Sequence, residues 1–331
     1  MPETGTLPAA KKSSPGKLWL NVLLLIALVG VFAWQIHSNW PEVVKYPWHG
    51  LRWEWAMWAF AGLLLCSLCD IIIWNRALGW FTESLPFAQA VPVFIWSNIA
   101  RYIPGKVFSL LVRAGLGHHY QRHPVPVLAA SVLELAVRLA SALMVFLFTL
   151  PTWQQPPESH MESLLIMLAC IVVVLMIGAH PRIMLPVLNW GLKKIKQHPI
   201  ERRVRYRDVL WLLAAETVRW LAYGGAFLLL ACAVYLPSAH VPFALIGIAN
   251  AAWAAGFVGM APAGLGLAEI VQKIFMGALG FPIAVSLILP VLMRMGSLAA
   301  EGIWALVAWP LHISCSRRLQ QAGAVVVKAE S

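Results

Sequence analysis

The 331-residue chain is 60% hydrophobic and 12% charged, with a mean hydropathy of +0.73. This composition is far from that of soluble globular domains and matches polytopic membrane proteins, which excludes a soluble catalytic domain as its main body. The formal net charge of +11 would suit nucleic acid, but much of the lysine and arginine sits in loops beside hydrophobic spans. That placement reads as a topology signal and as contact with anionic headgroups, so no nucleic-acid partner is expected.

In chain order, residues 1–17 form a tail rich in Pro, Ser, Gly and Lys, predicted to be disordered and cytoplasmic. A single transmembrane domain is predicted over 18–311, with a second cytoplasmic tail over 312–331. The first span, Leu18 to Trp34, is followed by no small-x-small cleavage site, so it is read as a span and not a signal peptide. Trp40, Trp48, Trp53, Trp55 and Trp58 then mark an outer interface. Span two runs from about Glu54 to Trp74.

Residues 87–103 and 105–119 flank a break at Pro104-Gly105, and the second piece is too short to cross about 30 Å of hydrocarbon at about 1.5 Å per residue. A re-entrant helical hairpin is expected there. Span three (about Val125 to Leu150) and span four (Glu162 to Ala179) lead to the most basic loop, 182–207, which is read as cytoplasmic. Span five covers about Val209 to Leu236. A second hairpin, 243–261 and 265–279, surrounds the break at Pro262, Gly264 and Gly266, and span six runs from Phe281 to Trp309.

The expected fold is therefore an all-α polytopic membrane protein. About six full spans and two Pro/Gly-broken re-entrant hairpins form an inverted-topology repeat, about 54–151 and about 209–310, with both termini on the cytoplasmic side of a cell inner membrane. Two interrupted hydrophobic segments in corresponding halves point to a midplane site at the repeat interface.

Charges recur at helical spacing on the spans: Glu134 and Arg138 on span three, Glu216 and Arg219 on span five, Arg294 and Glu301 on span six. Ser131, Ser141, Tyr223 and Ser297 share those stripes. The hairpins add Asn98, Arg101, Lys106 and Arg113, then Glu269 and Lys273. Isolated at the bilayer centre, such groups would cost roughly 3 kcal/mol each. Seven cations face four carboxylates in this set, and an anionic ligand group would balance the excess. Arginine forks and helix N-termini at the breaks suit phosphate.

A plainer reading stays open. Glu134–Arg138 and Glu216–Arg219 are also spaced to form local ion pairs, with Arg101, Lys106 and Arg113 reaching to the headgroups. Cys66-Ser-Leu-Cys69 lies in an apolar run and is read as structural. His118, His119 and His123 have no nearby carboxylate or thiol to complete a metal site, so neither metal nor cofactor is expected. There is no HExxH, GxSxG or P-loop, and no enzymatic activity is predicted.

The segments Asn98-x-x-Arg101-Tyr-x-Pro104-Gly105-Lys106, with Arg113 downstream, and Pro262-Ala-Gly264-Leu-Gly266-x-x-Glu269 resemble the two signature segments of the lysylphosphatidylglycerol synthase transmembrane-region family, also called flippase-like membrane proteins. The likeness runs from span one to span six. In two-part members such a membrane domain moves an aminoacylated phospholipid that a soluble domain makes; here the membrane part alone is expected. The resemblance implies lipid handling. Combined with the charged constellation, it predicts a lipid translocase that binds an anionic phospholipid or a polyprenyl-phosphate-linked lipid. The alternative is a non-transporting partner subunit that presents lipid to a membrane glycosyltransferase or lipid synthase.

Overall fold

A computed structural model of the chain describes residues 34, 37–38, 40–46, 50–102, 108–153, 159–194, 199–200, 204–236, 241–259, 264 and 266–330, with the backbone alone over 159–165 and 322–330. The predicted tail 1–17, most of the first span, and the break residues Pro104, Gly105, Lys106 and Pro262 lie outside the described residues. The eleven helices named below are α1 (Trp40–Lys45), α2 (Trp53–Phe81), α3 (Phe87–Ile99), α4 (Phe108–His119), α5 (Pro124–Thr149), α6 (Ser159–Ala179), α7 (Pro181–Lys194), α8 (Tyr206–Val234), α9 (Pro242–Val258), α10 (Leu267–Ala278) and α11 (Ile283–Glu330). No strand occurs among the described residues.

Local chemistry sets several helix starts. Pro124 opens α5, where its missing N–H costs nothing, and His123 Nδ1 accepts from the Val125 N–H at 3.4 Å. Asp208 reaches back to accept from the Arg205 N–H at 2.9 Å at the head of α8.

Four helices are long and apolar enough to cross a membrane: α2, α5 with its short 3₁₀ extension, α8, and α11 as far as Gln321. The pair α6–α7 makes a fifth if counted as one span bent by 69°. Large apolar side chains such as Met57, Leu65, Val132, Phe148, Val218 and Leu306 remain exposed on these helices, as lipid-facing surfaces require. The chain is an all-α membrane protein. Two stretches differ from the sequence expectation. Residues 181–194, expected as loop, are helical, and α11 continues as one helix well beyond Trp309. Prolines at 186, 290 and 310 do not end these helices, because a proline removes one N–H and a packed helix can bridge the gap.

Both short arm pairs fold back on themselves: α3 packs on α4, and α9 on α10. The 12-residue second arms, α4 and α10, are about 18 Å long at helical rise, well short of about 30 Å of hydrocarbon. The pairing crosses between the halves. Helix α3 lies on α11, α9 lies on α5, and α2 and α8 pack on each other.

Small residues permit these approaches. A Cβ on Gly62 of α2 would sit 3.3 Å from the Ala226 Cβ of α8, and one on Gly247 of α9 would collide with the Thr149 hydroxyl of α5. At the second break, Gly264 has φ of 71° and its missing Cβ would lie 2.7 Å from the Gly256 Cα, so glycine is needed there for conformation and for clearance.

Candidate functional site

A cavity of about 360 Å³ occupies the junction of the two halves. Its walls come from α2, α5, α8 and α11, the arms α4, α9 and α10, and the chain end of α3. Trp253, Phe257 and Tyr223 supply an aromatic flank, and Ser67, Ser109, Ser131, Gln272 and Ser297 supply neutral polar groups.

Arg138 is the hub of its deepest part. Its Nη2 donates to Asp70 at 2.8 Å and pairs with Glu134 one turn earlier on α5, while its Nε donates to Glu216 of α8 at 3.2 Å. Asp70 of α2 is held from its other side by Arg219, whose Nε lies 2.8 Å and Nη2 3.1 Å from the two carboxylate oxygens. Arg113 of α4 lies 3.6 Å from Glu134 and donates through Nε to Ser97 at 2.9 Å. All six of these charged side chains are buried.

Aromatic rings help carry the cations. The Arg113 guanidinium lies 4.4 Å from the Phe94 ring centroid, and that of Arg219 lies 4.1 Å from the Trp220 centroid. The backbone around the hub is braced as well: the Trp220 Nε1–H donates to the Arg138 carbonyl at 2.9 Å, and the Trp74 Nε1–H donates to Ser131 at 3.0 Å.

Two simpler clamps tie the hairpin tips to α11. At the first tip, Arg101 pairs with Glu301, which also accepts from the Tyr102 hydroxyl at 3.2 Å. At the second, Glu269 does two jobs: one oxygen accepts from the Gly266 N–H at 2.8 Å and caps α10, while the other accepts from Arg294 Nε at 2.8 Å. Arg294 and Glu301 are two turns apart on α11, about 10 Å along one helix face.

The sequence-derived residues fall into three groups. Asn98, Arg101, Arg113, Glu134, Arg138, Arg219, Glu269, Arg294 and Glu301 line the cavity together. Glu216 lies behind Arg138, and Lys273 is not in the lining, where its neighbour Gln272 takes the place. Lys106 lies outside the described residues.

Two parts of the sequence reading need correction. Asp70 was missed, although one carboxylate in a long apolar helix is itself a signal. The local pair Glu216–Arg219 does not form: Arg219 turns to Asp70 and Glu216 to Arg138, whereas Glu134–Arg138 does form. With Asp70 counted and Lys273 outside the lining, the arginines 101, 113, 138, 219 and 294 are matched by Asp70 and the glutamates 134, 216, 269 and 301. The expected excess of positive charge is therefore absent from the described constellation.

The thiols of Cys66 and Cys69 are unlinked. No group of three or more potential metal ligands occurs among the described residues. Instead, His119 and Tyr120 at the end of α4 join α11: the Tyr120 hydroxyl is 2.7 Å from His312 Nδ1, and His119 Nε2 is 2.9 Å from the Ser316 hydroxyl. Neither family models nor curated proteins gave a match for this chain.

Proposed function

We propose that this membrane protein is a flippase-like lipid translocase that takes the phosphate-bearing headgroup of an anionic phospholipid or a polyprenyl-phosphate-linked lipid into its charged cavity. The observation that carries the reading is one cavity into which both hairpin tips and four long helices direct arginines and carboxylates. So many ionisable groups within apolar helices mark a path for a polar or charged ligand by default. Arginine forks match phosphate oxygens, and the exposed apolar belt leaves acyl or prenyl chains in the bilayer.

The proposed architecture has six spans, counting Leu18 to Trp34. The two arm pairs are read as re-entrant hairpins and the halves as an inverted repeat in a cell inner membrane, with both termini cytoplasmic. The exchange of packing partners, α3 on α11 and α9 on α5, supports that repeat. The motif resemblance to the lysylphosphatidylglycerol synthase transmembrane-region family adds to the same reading. No catalytic step is assigned. Movement between leaflets would release one tip clamp at a time, Arg101–Glu301 or Glu269–Arg294.

A second reading, a partner subunit that presents lipid to a membrane glycosyltransferase or lipid synthase, draws on α7. This helix is amphipathic, exposes Ile183, Val187 and Trp190, and ends in Lys193 and Lys194, features suited to lying along an interface. One experiment separates the two. Lipids retained by the purified protein are identified by mass spectrometry, and movement of the enriched lipid is followed in reconstituted vesicles, for wild type and an Arg101→Gln, Arg294→Gln double variant. Enrichment and movement that both vanish in the variant are expected. Enrichment without movement favours the partner subunit, and bulk lipids alone in both proteins defeat the headgroup site.

A further inference from the structure

Glu216 is fully buried, at 0% exposure, yet it is the least compensated acid of the constellation. Asp70 accepts from two arginines, and Glu134 lies between Arg138 and Arg113. Glu216 has a single charged contact, Arg138 Nε on Oε1 at 3.2 Å, and its Oε2 is buried without a hydrogen-bond partner. Oε2 therefore has room to hold a proton, which the oxygens of Asp70, both engaged by arginines, do not.

The groups around it can be named. Asp70 and Cys69 act on it from α2, Glu134 and Arg138 from α5, and Arg219 from its own helix. Arg113 of α4 acts on it through Glu134, and Arg294 and Glu301 of α11 line the adjoining cavity. Helix α9, which also packs on α8, carries no titratable side chain.

We propose that Glu216 is a proton-binding site coupled to the occupancy of the cavity by a phosphodiester monoanion. This rests on the headgroup reading above. With Glu216 ionised, the five arginines are balanced among the described charges, and on that balance a phosphodiester entering alone would leave one uncompensated negative charge in a low-dielectric site. Arg138 touches both Glu216 and the cavity. As a phosphodiester oxygen accepts from the Arg138 guanidinium, Glu216 gives up its share of that cation. It takes one proton from bulk water at Oε2, forming a neutral carboxyl. The arriving negative charge is matched by the arriving proton, and the constellation stays balanced. A transporter built this way would bind headgroup and proton together, and a proton gradient would bias the direction of movement.

The test is isothermal titration calorimetry on the full-length protein in mild detergent, in two buffers of different ionisation enthalpy. Dioctanoyl phosphatidylglycerol is one probe, and chain-free glycerophosphoglycerol is the other; neither phosphodiester titrates near neutrality. Above the pH at which Glu216 ionises in the free protein, wild type is expected to take up about one proton per bound probe, with affinity weakening about tenfold per pH unit; below that pH both effects fade. Glu216→Gln should bind without proton uptake and without that pH dependence, whereas Glu216→Asp should retain both.

Uptake with the lipid alone assigns the coupling to the headgroup of a lipid; uptake with both probes assigns it to the phosphodiester itself. Probe binding without proton uptake overturns the coupling and leaves the headgroup site standing. Uptake that persists in Glu216→Gln overturns the assignment to this residue, and no binding of either probe to wild type overturns both readings. If Glu216→Gln fails to purify folded, the midpoint of the pH profile in Glu216→Asp decides: a shift is expected, and an unchanged midpoint rejects the proposal.

Discussion

Arg138 on α5 and Arg294 on α11 both line the cavity and both pair with glutamate, but their settings differ. Arg138 is about nine-tenths buried and shared among Asp70, Glu134 and Glu216. The Arg294 side chain is 21% exposed, and its short ion pair is with Glu269 at the head of a hairpin arm. Arg101 at the other tip is 31% exposed and pairs with Glu301. In the buried hub each member is surrounded by others that cannot be desolvated alone, so the hub acts as a keystone between four helices. The carboxylates of the clamps are themselves only 7% and 12% exposed, but both line the cavity, where water or a ligand can replace the arginine when a clamp opens. The hub is therefore suited to stability and the clamps to movement.

The strongest way to break that contrast is Arg138→Gln. It strands the buried Glu216 and leaves Asp70 and Glu134 with one arginine each, and is expected to cost about 3–5 kcal/mol, enough to abolish folding in a marginally stable membrane protein. Tryptophan fluorescence during thermal unfolding in detergent reads it, and a change below about 1 kcal/mol would mean that the hub is not a keystone.

Arg294→Gln is expected to cost less, about 1–2 kcal/mol in the same assay, because the buried Glu269 keeps the Gly266 N–H and faces the cavity, from which water can reach it. Lipid retention should fall sharply despite the smaller change in stability. Equal losses of stability in the two variants would erase the distinction between hub and clamp.

The smallest effect is expected from Lys273→Gln. This residue was expected to face the ligand, but it lies outside the cavity lining. Stability should change by no more than about 0.5 kcal/mol and the retained lipids should stay the same. A marked loss of lipid would place Lys273 on the path of the ligand and extend the site past the tip of the second hairpin.

Much of the site could be read in advance because intramembrane charges are expensive and stand out against apolar helices. Glu134 and Arg138 share one helix face by spacing alone, and their ion pair forms across one turn of α5. The Glu216–Arg219 expectation used the same reasoning and failed. Both side chains are on one face of α8, but each finds a better partner across a helix interface: Asp70 offers Arg219 a two-oxygen contact that Glu216 cannot, and Arg138 reaches Glu216 with Nε. Asp70 itself has no charged neighbour at helical spacing on α2, so no charged stripe marks it. Lys273 shares the one polar face of α10 with Glu269 and Gln272, yet the cavity takes those two and leaves Lys273 outside its lining.

Sequence alone determined the solvent in which this protein folds, the positions of its long apolar helices, the two short arm pairs and the faces that carry charge. Those features depend on composition, helical period and the demand of lipid that backbone and charge be satisfied. Only the tertiary structure decided which cation meets which carboxylate, that Asp70 completes the set, and that the described charges balance. Those outcomes depend on the register of helices far apart in the chain, and no periodicity within a single helix encodes it.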